Sequence, residues 1–143
     1  MWLDRGRLHR SLGVDLEKRE FLTVTEIPVS DLSDFLTKSW MWLETINELI
    51  GDVQKLRLDQ VVESKRIFSV VVKTIMAQEE KYKVTEAKAH AETKPEYIQE
   101  TALLNLLTAY EDYLERLYDN LKVYHYMIKA RFDYMVTAER GYR

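Results

Sequence analysis

The chain of 143 residues contains no cysteine, two prolines and four glycines. The missing cysteine excludes disulfides, thiolate zinc sites and a cysteine nucleophile at once, and is compatible with a reducing compartment. With Pro28 and Pro95 as the only prolines, few turns can be built, and long helices are the economical reading. Apolar runs never reach the roughly 18 residues that a membrane span needs. Arg5, Arg7 and Arg10 near the start are followed by no apolar stretch of signal-peptide length. The expectation is a soluble, cytoplasmic protein without membrane contact, in the host cytoplasm if it is encoded by a phage.

Catalytic and metal-binding patterns are equally scarce. His9, His90 and His125 lie far apart and form no HxxxH, ExxH or HExxH pair, so no metal site is expected. There is no Gly-rich phosphate loop and no Gly-x-Ser-x-Gly elbow. Glu79-Glu80, Glu111-Asp112 and the Asp31/Asp34 pair read as solvated faces or helix-terminal acids. The expectation is a non-enzymatic protein without cofactors.

What is present is heptad order. Thr93-Lys94-Pro95-Glu96 has the form of a capping box with proline in the first turn. From there apolar residues alternate by four and three through Leu103, Leu107, Tyr110, Leu114, Leu117, Leu121, Tyr124 and Ile128, then Arg131, then Met135. A repeat of 3.5 residues kept over this length presses one helix against another. Leu104, Tyr118 and Phe132 widen one shoulder of the stripe, and Leu106, Tyr113, Met127 and Tyr134 the other, which calls for three or more helices. An earlier helix begins near Ser30 and carries Leu43, Ile46, Ile50 and Val53, shifts phase around Arg57, just after Gly51, and resumes as Val61, Ser64, Phe68, Val71 and Ile75, then Gln78, Tyr82, Thr85 and Ala89.

The expected fold is therefore all-α: a long antiparallel helical hairpin, coiled-coil-like, over residues 30–143. Its helices span about 31–91 and about 95–139, with a tip near 92–94. Folding there pairs Phe68 with Leu117, Val71 with Leu114 and Ile75 with Tyr110. Residues 1–29 form an N-terminal arm, a short helix with Leu8 and Leu12 on one side followed by an extended stretch from Phe21 to Val29. The surplus apolar surface calls for a multi-chain helical bundle, so Leu103, Leu107, Tyr110, Leu114, Leu117, Leu121 and Ile128 are expected to mediate homo-oligomerisation.

Charge is placed unevenly. The net value is −3, yet Lys122, Lys129, Arg131, Arg140 and Arg143 dominate the end of the chain, after an acidic stretch that contains Glu96, Glu100, Glu111, Asp112, Glu115 and Asp119. Arg131 occupies a heptad core position, where a buried guanidinium needs a partner. In the expected register it falls near Gln54 to Arg57, and it can snorkel, pair with Asp52 or Asp59, or join Lys55, Arg57, Lys122 and Lys129 in a basic strip. Lys65-Arg66 is a further exposed basic pair. Aromatic residues crowd the same region, among them Trp40, Trp42, Phe68, Tyr118, Tyr124, Tyr126, Phe132 and Tyr134. Bases interleaved with rings suit single-stranded nucleic acid, although most of these rings fit the packed face and Tyr126 is the one expected at the surface.

Trp42-Leu43, the charged amphipathic run through Leu56-Arg57 and Lys65-Arg66, a small-residue turn and the segment from Leu106 to Met135 together resemble the UvsY-type recombination mediators of phages. The resemblance implies a helical protein that binds single-stranded DNA, self-assembles and helps load a recombinase onto strands covered by single-strand-binding protein. The candidate DNA contacts are Lys55, Arg57, Lys65, Arg66, Lys122, Lys129 and Arg131, and the family's basic stretch on its first helix maps onto Lys65, with Arg66 one place out of register. A second reading from the sequence is a structural or assembly protein, a virion, scaffold or adaptor component that works through protein–protein contacts alone, and a third is a small regulatory or toxin-neutralising helical protein.

Overall fold

The structure, a computed structural model, describes residues 2–18, 21–78 and 82–141. Its order is α1 (Arg5–Leu12), 3₁₀ turns at Phe21–Glu26 and Val29–Asp31, α2 (Leu32–Gln78), α3 (Val84–Ala91) and α4 (Pro95–Gly141). The chain is all-helical, with no strand among the described residues. Glu79-Glu80 and Arg143, singled out from the sequence, lie outside them. No helix is long and apolar enough to cross a membrane. The chain divides into two compact units, a terminal unit (Met1–Gly51 with Tyr113–Arg143) and a central unit (Asp52–Asp112).

In the terminal unit α2 and α4 pack antiparallel. Leu43, Ile46 and Ile50 are buried together with Leu114, Leu117, Leu121, Tyr124 and Ile128. The N-terminal arm is the third layer. Asp4 caps α1 by accepting the Arg7 N–H at 3.0 Å, and Gly13 ends it in the left-handed region at φ +67°, its N–H donating to the His9 carbonyl at 2.8 Å. Between the caps, Leu8 and Leu12 stand one turn apart and are fully buried.

The extended stretch expected from Phe21 to Val29 is absent, because Phe21–Glu26 winds as a 3₁₀ helix. Val24 and Ile27 are buried three residues apart, the spacing that eclipses side chains in a 3₁₀ turn, whereas a strand would need spacing of two. The β-branched Val24 and Ile27 are buried by packing, and no strand to pair with exists among the described residues.

Hydrogen bonds from α4 hold the arm. The Tyr124 hydroxyl donates to the Leu12 carbonyl at 3.0 Å, the Asn120 amide to the Leu16 carbonyl at 2.9 Å, and the Arg131 guanidinium to the Val24 carbonyl. From α2 the Trp42 indole N–H donates to the Ser11 hydroxyl at 3.1 Å. Burial pushes the Tyr124 phenol up to about 12.

In the central unit α2 again runs antiparallel to α4, but the seam is polar in its middle. Arg57 pairs with Glu111 at 2.6 Å, and the Gln60 amide donates to the Glu100 carbonyl at 3.1 Å and to its carboxylate at 2.5 Å. Farther along, the Phe68 and Tyr97 rings lie 5.0 Å apart. Helix α3 docks through Ala87 and Ala91, both fully buried against Val72 and Ile75, with Phe68, Val71 and Tyr82 around them.

The expected register is thereby corrected. Phe68 faces Tyr97 rather than Leu117, a slide of about 20 residues along α4. The cause is the connection: α2 ends at Gln78, and α3 is a separate helix rather than its continuation to residue 91. Thr85 and Ala89, placed on the seam by heptad extrapolation, are exposed, and the alanines one turn apart do the packing instead. The anticipated Thr93 capping box also does not form, since the Thr93 hydroxyl donates to the His90 carbonyl at 2.7 Å; Pro95 does open α4.

Candidate nucleic-acid interface

Each of the seven cations nominated from the sequence can be located. Arg57 is engaged with Glu111, and Arg66 is held by both carboxylate oxygens of Glu63 at 2.9 and 2.6 Å. The Arg131 guanidinium donates to the Val24 carbonyl of the arm, and no ion pair of Arg131 with Asp52 or Asp59 occurs among the described residues. That contact explains a cation on the heptad row: a backbone oxygen, not a carboxylate, satisfies it. Lys55, Lys65, Lys122 and Lys129 are exposed and stand in no ion pair among the described residues. Lys55 and Lys65 belong to the central unit, Lys122 and Lys129 to the terminal one.

The leucine row assigned to association is mostly consumed inside the chain. Leu107, Leu114, Leu117, Leu121 and Ile128 are buried and Tyr110 is half-buried, while Leu103 is 44% exposed. The physical reason is the paired α2, which covers that row in each unit, joined in the terminal unit by the arm.

In the terminal unit, Lys122 and Lys129 frame an aromatic site. Positions 122, 126 and 129 are spaced four and three apart, so Tyr126 lies between the lysines on one face of α4. Tyr126 and Trp40 of α2 are each 54% exposed. The His125 ring sits between them, its centroid 5.8 Å from each. Leu36, Thr37, Trp40, His125 and Lys129 line an open pocket of about 390 Å³.

His125 itself is buried and held from below. Its Nδ1 lies 2.7 Å from the Ser39 hydroxyl, which is 3.0 Å from the Leu36 carbonyl. Both contacts are hydrogen bonds at once only if Ser39 donates to Leu36 and accepts the Nδ1–H of His125. Nε2 then carries the lone pair. Burial first, and the Lys129 ammonium second, hold the imidazole below its ordinary pKa, so it is neutral at physiological pH. Ser39 is fully buried, and its hydroxyl holds the imidazole in place.

Another cleft of the terminal unit, also about 390 Å³, is lined by Arg5, Glu17, Tyr113, Arg116, Leu117 and Asn120. Glu17 accepts from Arg5 at 3.1 Å and from the Tyr113 hydroxyl at 2.7 Å, so its acid is already spoken for. Burial and Glu17 together push the Tyr113 phenol up to about 12. No group of three or more His, Cys, Asp or Glu residues fit to hold a metal occurs among the described residues.

Trp40, Tyr126, Lys122 and Lys129 were visible in the sequence as types. His125 was not, because its orientation depends on Ser39, 86 positions away. Comparison of the chain with family models, with curated proteins and with solved structures finds no match in any of the three.

Proposed function

We propose that this is a non-enzymatic protein that binds single-stranded nucleic acid, with DNA as its substrate, through the Trp40–His125–Tyr126 face of the terminal unit. The supporting observation is the pairing of two half-exposed rings with the free ammonium groups of Lys122 and Lys129. Rings take bases by stacking, worth about 1–3 kcal/mol per base, and ammonium groups take phosphates. Lys55 and Lys65 supply further free cations on the central unit. The wider role, self-assembly and help in loading a recombinase onto strands covered by single-strand-binding protein, rests on the sequence resemblance to UvsY-type mediators alone.

Fluorescence anisotropy of a labelled 12-mer at rising salt tests the binding. Affinity should fall with salt, and the double variant Trp40→Ala/Tyr126→Ala should bind at least tenfold more weakly while keeping its helical signal. Absence of binding by the intact chain at low salt would end this reading.

A second reading, assembly through protein–protein contacts alone, is favoured by one feature of the central unit. Leu58, Val62, Ile98, Leu103 and Leu106 are all exposed there, and Val62 is 68% open. Leu106→Asp and Val62→Asp should then lower the mass in solution with little loss of stability, because neither side chain is buried in the single chain. A monomer in the parent protein would remove self-association from both readings.

A further inference from the structure

We infer that the terminal-unit site takes an unpaired base by its Watson–Crick edge, with His125 Nε2 accepting a hydrogen bond from that edge. The inference rests on the nucleic-acid reading above and adds a requirement that stacking and charge do not impose. Ser39 hands its proton to the Leu36 carbonyl and so obliges Nδ1 of His125 to be the donor. Nε2 is left as an acceptor. Nε2 of His125 has no hydrogen-bond partner among the described residues and is not among the buried atoms left unsatisfied, and His125 lines the open pocket together with Trp40 and Lys129.

An acceptor fixed beside an indole face selects a planar ligand with an N–H in its plane. Every nucleobase offers one on its Watson–Crick edge, as an imino or amino group. In a duplex that donor is taken by the opposite strand, so the histidine adds discrimination against paired strands. Lys129 on the pocket wall suits the neighbouring base oxygen or a phosphate and does not compete for the donor. His125 is here a specificity-determining residue, and Ser39 a positioning residue.

A thymine 12-mer and its counterpart methylated at N3 of every base separate this hydrogen bond from stacking, because the methyl group removes the imino donor and leaves the ring and backbone charge intact. The methylated strand should bind the parent protein about fivefold to tenfold more weakly, the size of one net hydrogen bond. In His125→Phe, which keeps a ring but no acceptor, the two strands should bind within about twofold of each other. In Ser39→Ala the imidazole loses the group that sets its tautomer, and the penalty should shrink; this variant carries the test if His125→Phe loses its helical signal. Equal binding of both strands by the parent overturns the inference while leaving the nucleic-acid reading in place. A methyl penalty that persists in His125→Phe also overturns it, since the pocket would then be rejecting bulk. Failure of the unmodified strand to bind at low salt overturns the reading on which the inference rests.

Discussion

The two units close the same kind of seam with different chemistry. Of the large fully buried apolar side chains, Leu8, Leu12, Leu16, Leu32, Ile46, Leu114, Leu117, Leu121, Tyr124 and Ile128 belong to the terminal unit and Val53 to the central one. In the central unit Val53 and Leu107 share the seam with the buried polar residues Gln60, Ser64 and Glu111, and α3 contributes two buried alanines. A pair of helices buries one face of each and leaves its flanks wet. The terminal unit solves this by laying its own arm across the pair; the central unit, with a short α3 in that role, keeps Leu103, Leu106 and Ile98 in the open. Apolar contacts provide stability where three layers meet, and directional polar contacts fix register where only two long helices do.

That contrast can be broken by deletion. Leu114→Ala empties a fully buried position of the terminal unit and should cost about 3 kcal/mol in denaturant unfolding, whereas Ser64→Ala in the central seam should cost about 1 kcal/mol or less. Equal losses would mean that the units do not differ in how they are held. At a smaller scale, Tyr124→Phe removes the hydroxyl from the Leu12 carbonyl and should cost about 1 kcal/mol, with faster amide exchange across α1 as the local sign of a loosened arm.

The gentlest perturbation is acid. Because the folded His125 takes up a proton less readily than the unfolded chain, its contribution is neutral above the ordinary histidine pKa of about 6.5 and turns destabilising as pH falls below that value toward the lowered folded one. The terminal unit should therefore lose stability on acidification through that window, and His125→Phe should flatten the profile there.

Much of the architecture was legible in the residues, and the reasons for the misses are specific. The heptad leucines announced α4, and Pro95 marked its first residue, because helical burial repeats at a fixed interval. Register was not legible, since it depended on where α2 stops, and Ala87 and Ala91 look like surface alanines until something lies on them. Period-two alternation in the arm imitated a strand, while the burial of Val24 and Ile27 follows a period of three. Of the candidate site, cations could be found as residue types, but which of them are spent internally, as Arg57, Arg66 and Arg131 are, is a property of partners distant in sequence or of rotamer choice.

The way α4 grips the arm has a consequence for how the arm can vary. Tyr124, Asn120 and Arg131 all reach carbonyl oxygens, those of Leu12, Leu16 and Val24, which every amino acid possesses. These three donors follow the path of the main chain, while Tyr113 of the same helix reads one side chain, the carboxylate of Glu17. Exposed Lys18 touches none of them and is open to replacement, whereas a single residue inserted between Leu12 and Leu16 would shift the Leu16 and Val24 oxygens together relative to that of Leu12.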